Sequence, residues 1–203
     1  MIPRIVHQIW LQGDELPPVL GALVDGVRYR CWRDGWEHRL WTHRTADALL
    51  DGTRWGELKA RCCHLSQRSN VLRYYVLCVM GGLYLDTDVE LFGLPGDLRG
   101  AWIAGTDDGR PAVNPAVMAS EPNHPYLQRL VEALPGIDLG VQGSAGPALA
   151  AACLGADSPG GVPEVWPRAV WHGRRNQRES LGHHYNWGLN LRSFKRDLRE
   201  GSA

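Results

Sequence analysis

The stretch QRSNVLRYYVLCVMGGLYLDTDVEL, residues 67–91, decides how this chain is read. Gln67 to Met80 is apolar almost all the way round, the pattern of a helix buried on every side rather than on one stripe. Gly81-Gly82 follows at the position where helices commonly end in a left-handed residue, so the helix is predicted to stop there. Leu83 to Leu91 then reads as one strand. Side chains two apart on a strand share a face, so Asp86, Asp88 and, less directly, Glu90 are expected on one side, with Leu83, Leu85, Thr87 and Val89 facing the core. Carboxylates brought together in this way repel one another unless a cation sits between them, and hard oxygen ligands suit Mg²⁺ or Mn²⁺. Within the helix, Asn70 and Arg73 are three residues apart and therefore neighbours; they read as its only strongly polar members. A buried Arg needs a partner. Arg73 can form a salt bridge to Asp86, or turn its planar fork to sugar hydroxyls or phosphate, and both readings place it beside the acidic strand.

Working outward, Ile2 to Leu11 reads as a first strand and Pro18 to Arg30 as a helix opened by proline. Glu37 to Thr42 is a second strand, and Thr45 to Leu50 and Trp55 to Leu65 are helical, giving βαβαα ahead of the central helix. On the C-terminal side, short strands are expected at Ala101 to Ala104, at Ala112 to Ala119, and around Val165 and Val170. Helices are expected at His124 to Leu134, Gly146 to Leu154 and Leu189 to Arg199. This alternation is that of an α/β domain. The 203 residues suit one domain, 1–203, with no internal repeat and no dividing linker.

Composition bounds the function. The 22 basic and 22 acidic residues cancel, which argues against binding nucleic acid through bulk charge alone. Basic residues are nearly all Arg, and four of the nine Trp (Trp10, Trp32, Trp36, Trp41) fall early in the chain. These are side chains that clamp phosphate and stack on sugars or bases, although they also serve a core. Five cysteines without a CxxC spacing suggest a reduced, cytoplasmic protein; Cys62-Cys63-His64 reads as structural rather than metal-binding. No signal peptide and no transmembrane run are expected. Asp107-Asp108, followed by Gly109, reads as a turn. The Arg-rich tail (Arg168, Arg174, Arg175, Arg178, Arg192, Arg196, Arg199) reads as solvated surface, or as a grip on a diphosphate or an anionic acceptor.

Taken together, the buried helix with Asn70 and Arg73, the double glycine and the strand ending in Asp86-Thr87-Asp88 resemble the sugar-binding DXD family of glycosyltransferases. That family includes yeast initiating α-1,6-mannosyltransferases, and the large clostridial glucosylating toxins share a related core. Ile2-Pro3-Arg4-Ile5-Val6-His7-Gln8-Ile9-Trp10 is similar to the family's opening strand. Asn114-Pro115, Gly146-Pro147 and His183-His184-Tyr185-Asn186-Trp187 resemble its later short segments. The resemblance implies a GT-A-like fold: a Rossmann-like nucleotide-binding half with a mixed central sheet flanked by helices. It also implies transfer of a hexose from a UDP- or GDP-sugar, UDP-hexose favoured, to the hydroxyl of a glycan or small molecule, with retention and with Mn²⁺ or Mg²⁺ as cofactor. Asp86, Asp88 and Arg73 would form the catalytic centre, and Asp88, Asp86 and His184 the metal site, His184 being preferred to His183. Trp10, Gln8, Asn70, Arg73, Tyr84, Asp86, Thr87 and Trp187 would bind the donor. Asn114, His183, Arg174 and Arg175 would lie on the acceptor side. Two departures stand out: position 70 is Asn where many relatives have Asp on the donor sugar, and the C-terminal segment lacks the family's Ser-Trp pair. His7 reads as a hydrogen-bonded core histidine. The rival readings are the same chemistry on a modified DNA base, a metal-dependent phosphoesterase, and a non-catalytic sugar-binding module.

Overall fold

The computed structural model describes residues 1–106, 113–154, 161–172 and 180–185. The chain begins with strand β1 (Ile5–Trp10), helix α1 (Pro18–Arg33), strand β2 (Glu37–Thr42) and helices α2 (His43–Leu50) and α3 (Arg54–Arg61). This is the predicted βαβαα opening. Pro18 starts α1, where its missing N–H costs nothing, and Thr42 and Thr53 cap α2 and α3 through their hydroxyls.

Helix α4 (Leu65–Met80) follows, with nine of its side chains buried. Gln67 is among them, so Asn70 and Arg73 are not its only buried polar residues. Gly81 ends the helix at φ 66°. A Cβ there would sit 2.7 Å from Ser120 O and from the Pro122 ring, so both the backbone angle and the space require glycine.

The strand that follows is shorter than expected. β3 (Gly82–Leu85) ends before the acidic pair, and Val89 N–H closes a turn onto Asp86 O at 3.2 Å. The chain resumes as β4 (Val89–Leu91), which has left the main sheet. The expectation of one continuous strand is therefore corrected: alternation over Leu83–Leu91 reads as a strand locally, but aspartates also favour turns, and the turn prevails. As a result Thr87 borders a cleft instead of facing the core.

Beyond β4 lie strands β5 (Ala101–Gly105) and β6 (Val113–Ser120), helices α5 (Pro125–Ala133) and α6 (Pro147–Ala152), strand β7 (Glu164–Trp166), helix α7 (Arg168–His172) and strand β8 (Gly182–His184). Val170, expected in a strand, lies in α7. The proposed helix at 189–199, the Asp107-Asp108 turn, Arg174, Arg175, Asn186 and Trp187 lie outside the described residues.

The main sheet has the order β2-β1-β3-β6-β5-β7. β1 is parallel to β2 and β3, β6 is antiparallel to β3 and β5, and β7 is parallel to β5. One face of the sheet packs on α2 to α6 through Ile9, Trp41, Tyr84, Ile103 and Met118. The other packs on α1 and α7 through Val6, Leu83, Leu85, Val117 and Trp171. The strand order reverses at β1: α1 carries the chain outward to β2, and α4 returns it to β3 on β1's other side. A crevice opens outside the carboxyl ends of strands at such a switch point. Here those ends are Trp10 and Leu85, and Asp86 follows immediately. β4 and β8 form a separate antiparallel pair.

Candidate active site

A cleft of about 310 Å³ occupies that crevice. Its walls include Trp10, Asn70, Arg73, Tyr84, Asp86, Thr87, Asp88 and Asn114, side chains drawn from β1, α4, β3, the turn and β6.

The floor is a buried ionic network. Arg73 is almost wholly enclosed, and its Nη2 lies 2.7 Å from Asp86 Oδ1. The same carboxylate oxygen accepts from Tyr84 Oη at 2.7 Å, and Arg73 Nη2 also donates to Tyr84 Oη at 3.2 Å. Arg73 Nη1 donates to Pro115 O at 2.7 Å, and the guanidinium lies 4.3 Å from the centre of the Tyr84 ring. Burial by itself would weaken Arg73 as a base, but the Asp86 charge outweighs it and holds the guanidinium firmly protonated. Burial first, and then the Asp86 charge, push the Tyr84 hydroxyl well above the ordinary tyrosine range, so Tyr84 stays a donor. Of the two roles open to Arg73, the salt bridge is realised, and the same fork still borders the cleft.

His184 arrives from β8. That strand lies antiparallel to β4 with Val89 opposite His184, and Tyr185 N–H donates to Asp88 O at 3.1 Å. His184 Nε2 is thereby set 3.3 Å from Asp88 Oδ1 and 3.9 Å from Asp86 Oδ2. One ligand atom from each of Asp86, Asp88 and His184 can lie within 4.8 Å of the other two. Burial opposes charge on His184, but the hydrogen bond and charge of Asp88, aided by Asp86, prevail and raise its pKa. The other ring nitrogen faces Asn114 Nδ2 at 3.5 Å. The orientation of Asn114 follows from its Oδ1, which accepts from Ala116 N–H at 3.0 Å.

Not every predicted site residue meets the cleft. Gln8 is fully buried behind it, where its Nε2 donates to Asp86 O at 3.3 Å and its Oε1 faces His38 Nε2 at 2.9 Å. It therefore supports the Asp86 backbone and does not line the cavity. His183 alternates to the other side of β8 and packs edge-on against Tyr185, ring centres 4.7 Å apart. Trp10 borders the cleft with its indole N–H donated to Glu15 O at 3.1 Å. His7 is a core residue: Nε2–H donates to Gly81 O at 2.9 Å and Nδ1 accepts from Trp41 at 3.2 Å. Pro147, of the Gly146-Pro147 pair, also lines the cleft, as do Gln12, Leu20, Ser66 and Ser69, to which no site role was assigned. A signal for two of them was present, because Ser66, Ser69, Asn70 and Arg73 follow the i, i+3, i+4, i+7 rule for one helix face.

Comparison with known proteins covers much of this site. Residues 28–98 match the family of glycosyltransferase sugar-binding regions containing the DXD motif. The matched stretch runs from within α1 past β4 and contains Asn70, Arg73, Tyr84, Asp86, Thr87 and Asp88. An uncharacterized glycosyltransferase of Acanthamoeba polyphaga mimivirus is 29% identical over 63% of this chain and 53% of its own length. Inositol phosphoceramide mannosyltransferase 2 of Schizosaccharomyces pombe is 29% identical over 66% of this chain and 39% of its own. Mannosyltransferase 3 of the same series is 27% identical over 66% and 37%. The chain thus spans about half or less of these relatives. The solved structure of the PaToxG glycosyltransferase superposes with a TM-score of 0.57, at 17% identity, over 75% of this chain and 69% of that one. The fold is α/β and GT-A-like, with a mixed central sheet flanked by helices. Among the described residues, no helix is long and apolar enough to cross a membrane.

Proposed function

We propose that residues 1–203 act as one glycosyltransferase domain that moves a hexose from a UDP- or GDP-sugar to an acceptor hydroxyl with the help of a divalent cation. The observation that carries this reading is the convergence of Asp86 and Asp88, which line a cleft at the sheet's switch point, with His184 beside them. The donor set fits a divalent cation. Asp86 Oδ1 is taken up by Arg73 and Tyr84, which leaves Oδ2 toward His184. Two carboxylates with one imidazole suit Mn²⁺, or Mg²⁺ with water completing the shell.

When bound, such a cation supplies countercharge to the diphosphate that departs from the sugar. The remaining roles belong to the chain. Asp88, Asp86 and His184 would hold the cation. Arg73, fixed by Asp86, Tyr84 and Pro115, presents a pre-oriented positive charge to the cleft, which needs no reorganisation as negative charge develops. Asn70 would contact the sugar, and Trp10 would offer a flat face to the base. Trp187, outside the described residues, would close over the diphosphate. Neither Asp86 nor Asp88 is placed as a free general base, which agrees with a retaining reaction in which the leaving phosphate takes the acceptor's proton. The mannosyltransferase names of two relatives favour a hexose donor.

The test is thermal denaturation with UDP-glucose, UDP-N-acetylglucosamine and GDP-mannose, each in Mn²⁺ and in EDTA. A ligand present at 100 times its Kd stabilises the native state by about 2.7 kcal/mol, or ~5–10 °C for a chain of this size. One of the sugars should do so in Mn²⁺ alone. Equal stabilisation in EDTA would remove the metal from the proposal, and no stabilisation by any of the three would remove the hexose donor.

A further inference from the structure

An amide can show a ligand either a donor or an acceptor, depending on which way it is turned. Asn70 lines the cleft, and its neighbours decide its direction. Gln67, one turn earlier on α4, is completely buried. Its Nε2 lies 2.6 Å from Val141 O, a group that can only accept, so that end of Gln67 is its NH₂. The same nitrogen lies 2.6 Å from Ser144 Oγ, whose proton is committed to Asp138 O at 2.7 Å, so Ser144 also accepts. Oε1 of Gln67 is left to face Asn70, and the atom opposite it, at 3.4 Å, must be Nδ2. Nδ2 also faces Gly146, where an added Cβ would come within 3.6 Å of it. Asn70 Oδ1 takes no hydrogen bond from the described residues, and it is not among the polar atoms sealed from solvent.

We infer that the Asp138–Ser144–Gln67 relay turns Asn70 so that its carbonyl oxygen, and not its NH₂, meets the ligand, which makes Gln67 a positioning residue that favours a donor sugar with a free hydroxyl at that point. This rests on the nucleotide-sugar reading above. The relay gives Asn70 the accepting character of a carboxylate without its charge. A hydroxyl donates into Oδ1, whereas an ether or keto oxygen there meets lone pair with lone pair.

Two measurements test it. The first needs no ligand: a cycle of melting temperatures over wild type, Gln67→Met, Asn70→Asp and the double variant. The Asn70→Asp change sets an oxygen against Gln67 Oε1, which Val141 O prevents from turning away. Asn70→Asp should therefore lower the melting temperature by about 5 °C or more beside Gln67, and by no more than about 2 °C in the Gln67→Met background. Equal losses in the two backgrounds would overturn the relay. The second uses whichever of UDP-glucose, UDP-N-acetylglucosamine and GDP-mannose binds the wild type in Mn²⁺, by calorimetry. Gln67→Met alone, which frees the amide to turn, should weaken binding by roughly tenfold. Adding Asn70→Asp, which presents oxygen whichever way it turns, should restore most of that loss. A further loss in place of rescue would mean that the ligand met an NH₂, and would overturn the inference. If no nucleotide-sugar binds the wild type, the donor reading fails while the melting cycle still decides the relay.

Discussion

His7 and His184 are both almost wholly enclosed, one behind the sheet's switch point and one in front of it, and their chemistry runs in opposite directions. His7 is bracketed by neutral groups, the Gly81 carbonyl and the Trp41 indole, and burial takes its pKa down to about 4. His184 is bracketed by Asp88 and Asp86, whose charge overcomes the same burial and raises its pKa. Partners, more than depth, separate a structural histidine from one able to share a cation. The two ends of the site are also built differently. His7, Gly81 and Gln8 brace the rigid junction of β1, α4 and β3, whereas His184 depends on a three-residue strand paired to β4.

The sharpest way to break this contrast is Asp88→Asn, which keeps the shape and removes the charge from the front of the site. Donor hydrolysis and transfer should fall by about 10³-fold or more, some 4 kcal/mol of lost charge stabilisation, and the rate should lose its dependence on Mn²⁺. Undiminished turnover of the variant in EDTA would end the metal reading. Next in size is Arg73→Met. Removing one partner of a buried pair costs about 3–5 kcal/mol. The Asp86 side chain is 30% exposed, so the lower end applies. A melting point lower by roughly 6–12 °C is expected. A stable variant that has lost only donor binding would instead assign Arg73 to the ligand and not to the fold.

The back of the site can be probed through pH. Folded His7 resists protonation down to about pH 4, while the unfolded chain accepts that proton near 6.5. The unfolded state therefore binds more protons between these values, and the contribution of His7 is complete above pH 6.5 and lost as pH falls toward 4. The gap corresponds to about 3 kcal/mol. His38, also lowered to about 4 by burial, adds to the loss in the same window. Urea denaturation at pH 7.5 and 5.0 should show the fall, and His7→Gln, which keeps a donor for Gly81 O, should flatten it. An unchanged slope in that variant would assign the pH dependence elsewhere.

The same contrast marks what the sequence made legible. The helix up to Met80, the glycine stop and the βαβαα opening could be read because each is set by local rules: apolar content, capping and proline placement. The break after Leu85 could not, since Asp86-Thr87-Asp88 satisfies a strand pattern and a turn pattern equally, and the choice depends on β4 leaving for β8. β8 itself, Gly182–His184, has no apolar alternation to announce it and exists through its partner. Gln8 was legible as polar but not as facing away from the cleft. Gln67 passed as one more residue of a buried helix, because its role depends on Val141 and Ser144, more than seventy residues away.

The smallest expected effect lies in how β8 is held. Tyr185 Oη donates to Glu90 Oε2 at 2.7 Å, across the pair that also sets His184 opposite Val89. Groups that orient a metal ligand typically alter metal affinity by about 10–100-fold. Tyr185→Phe removes one hydrogen bond on a half-buried surface and leaves the strand pairing intact, so the low end applies. The Mn²⁺ concentration for half-maximal activity should rise about tenfold or less, and saturating Mn²⁺ should restore the full rate. A lower rate that saturating metal does not restore would show that Tyr185 acts on the reacting groups and not on the seating of His184. No change at all would mean that the backbone bonds between β4 and β8 suffice to seat it. In either case the two histidines would differ in the partners of their rings: His7 meets a carbonyl and an indole, whereas His184 meets Asp88 and Asn114 from a strand paired to β4.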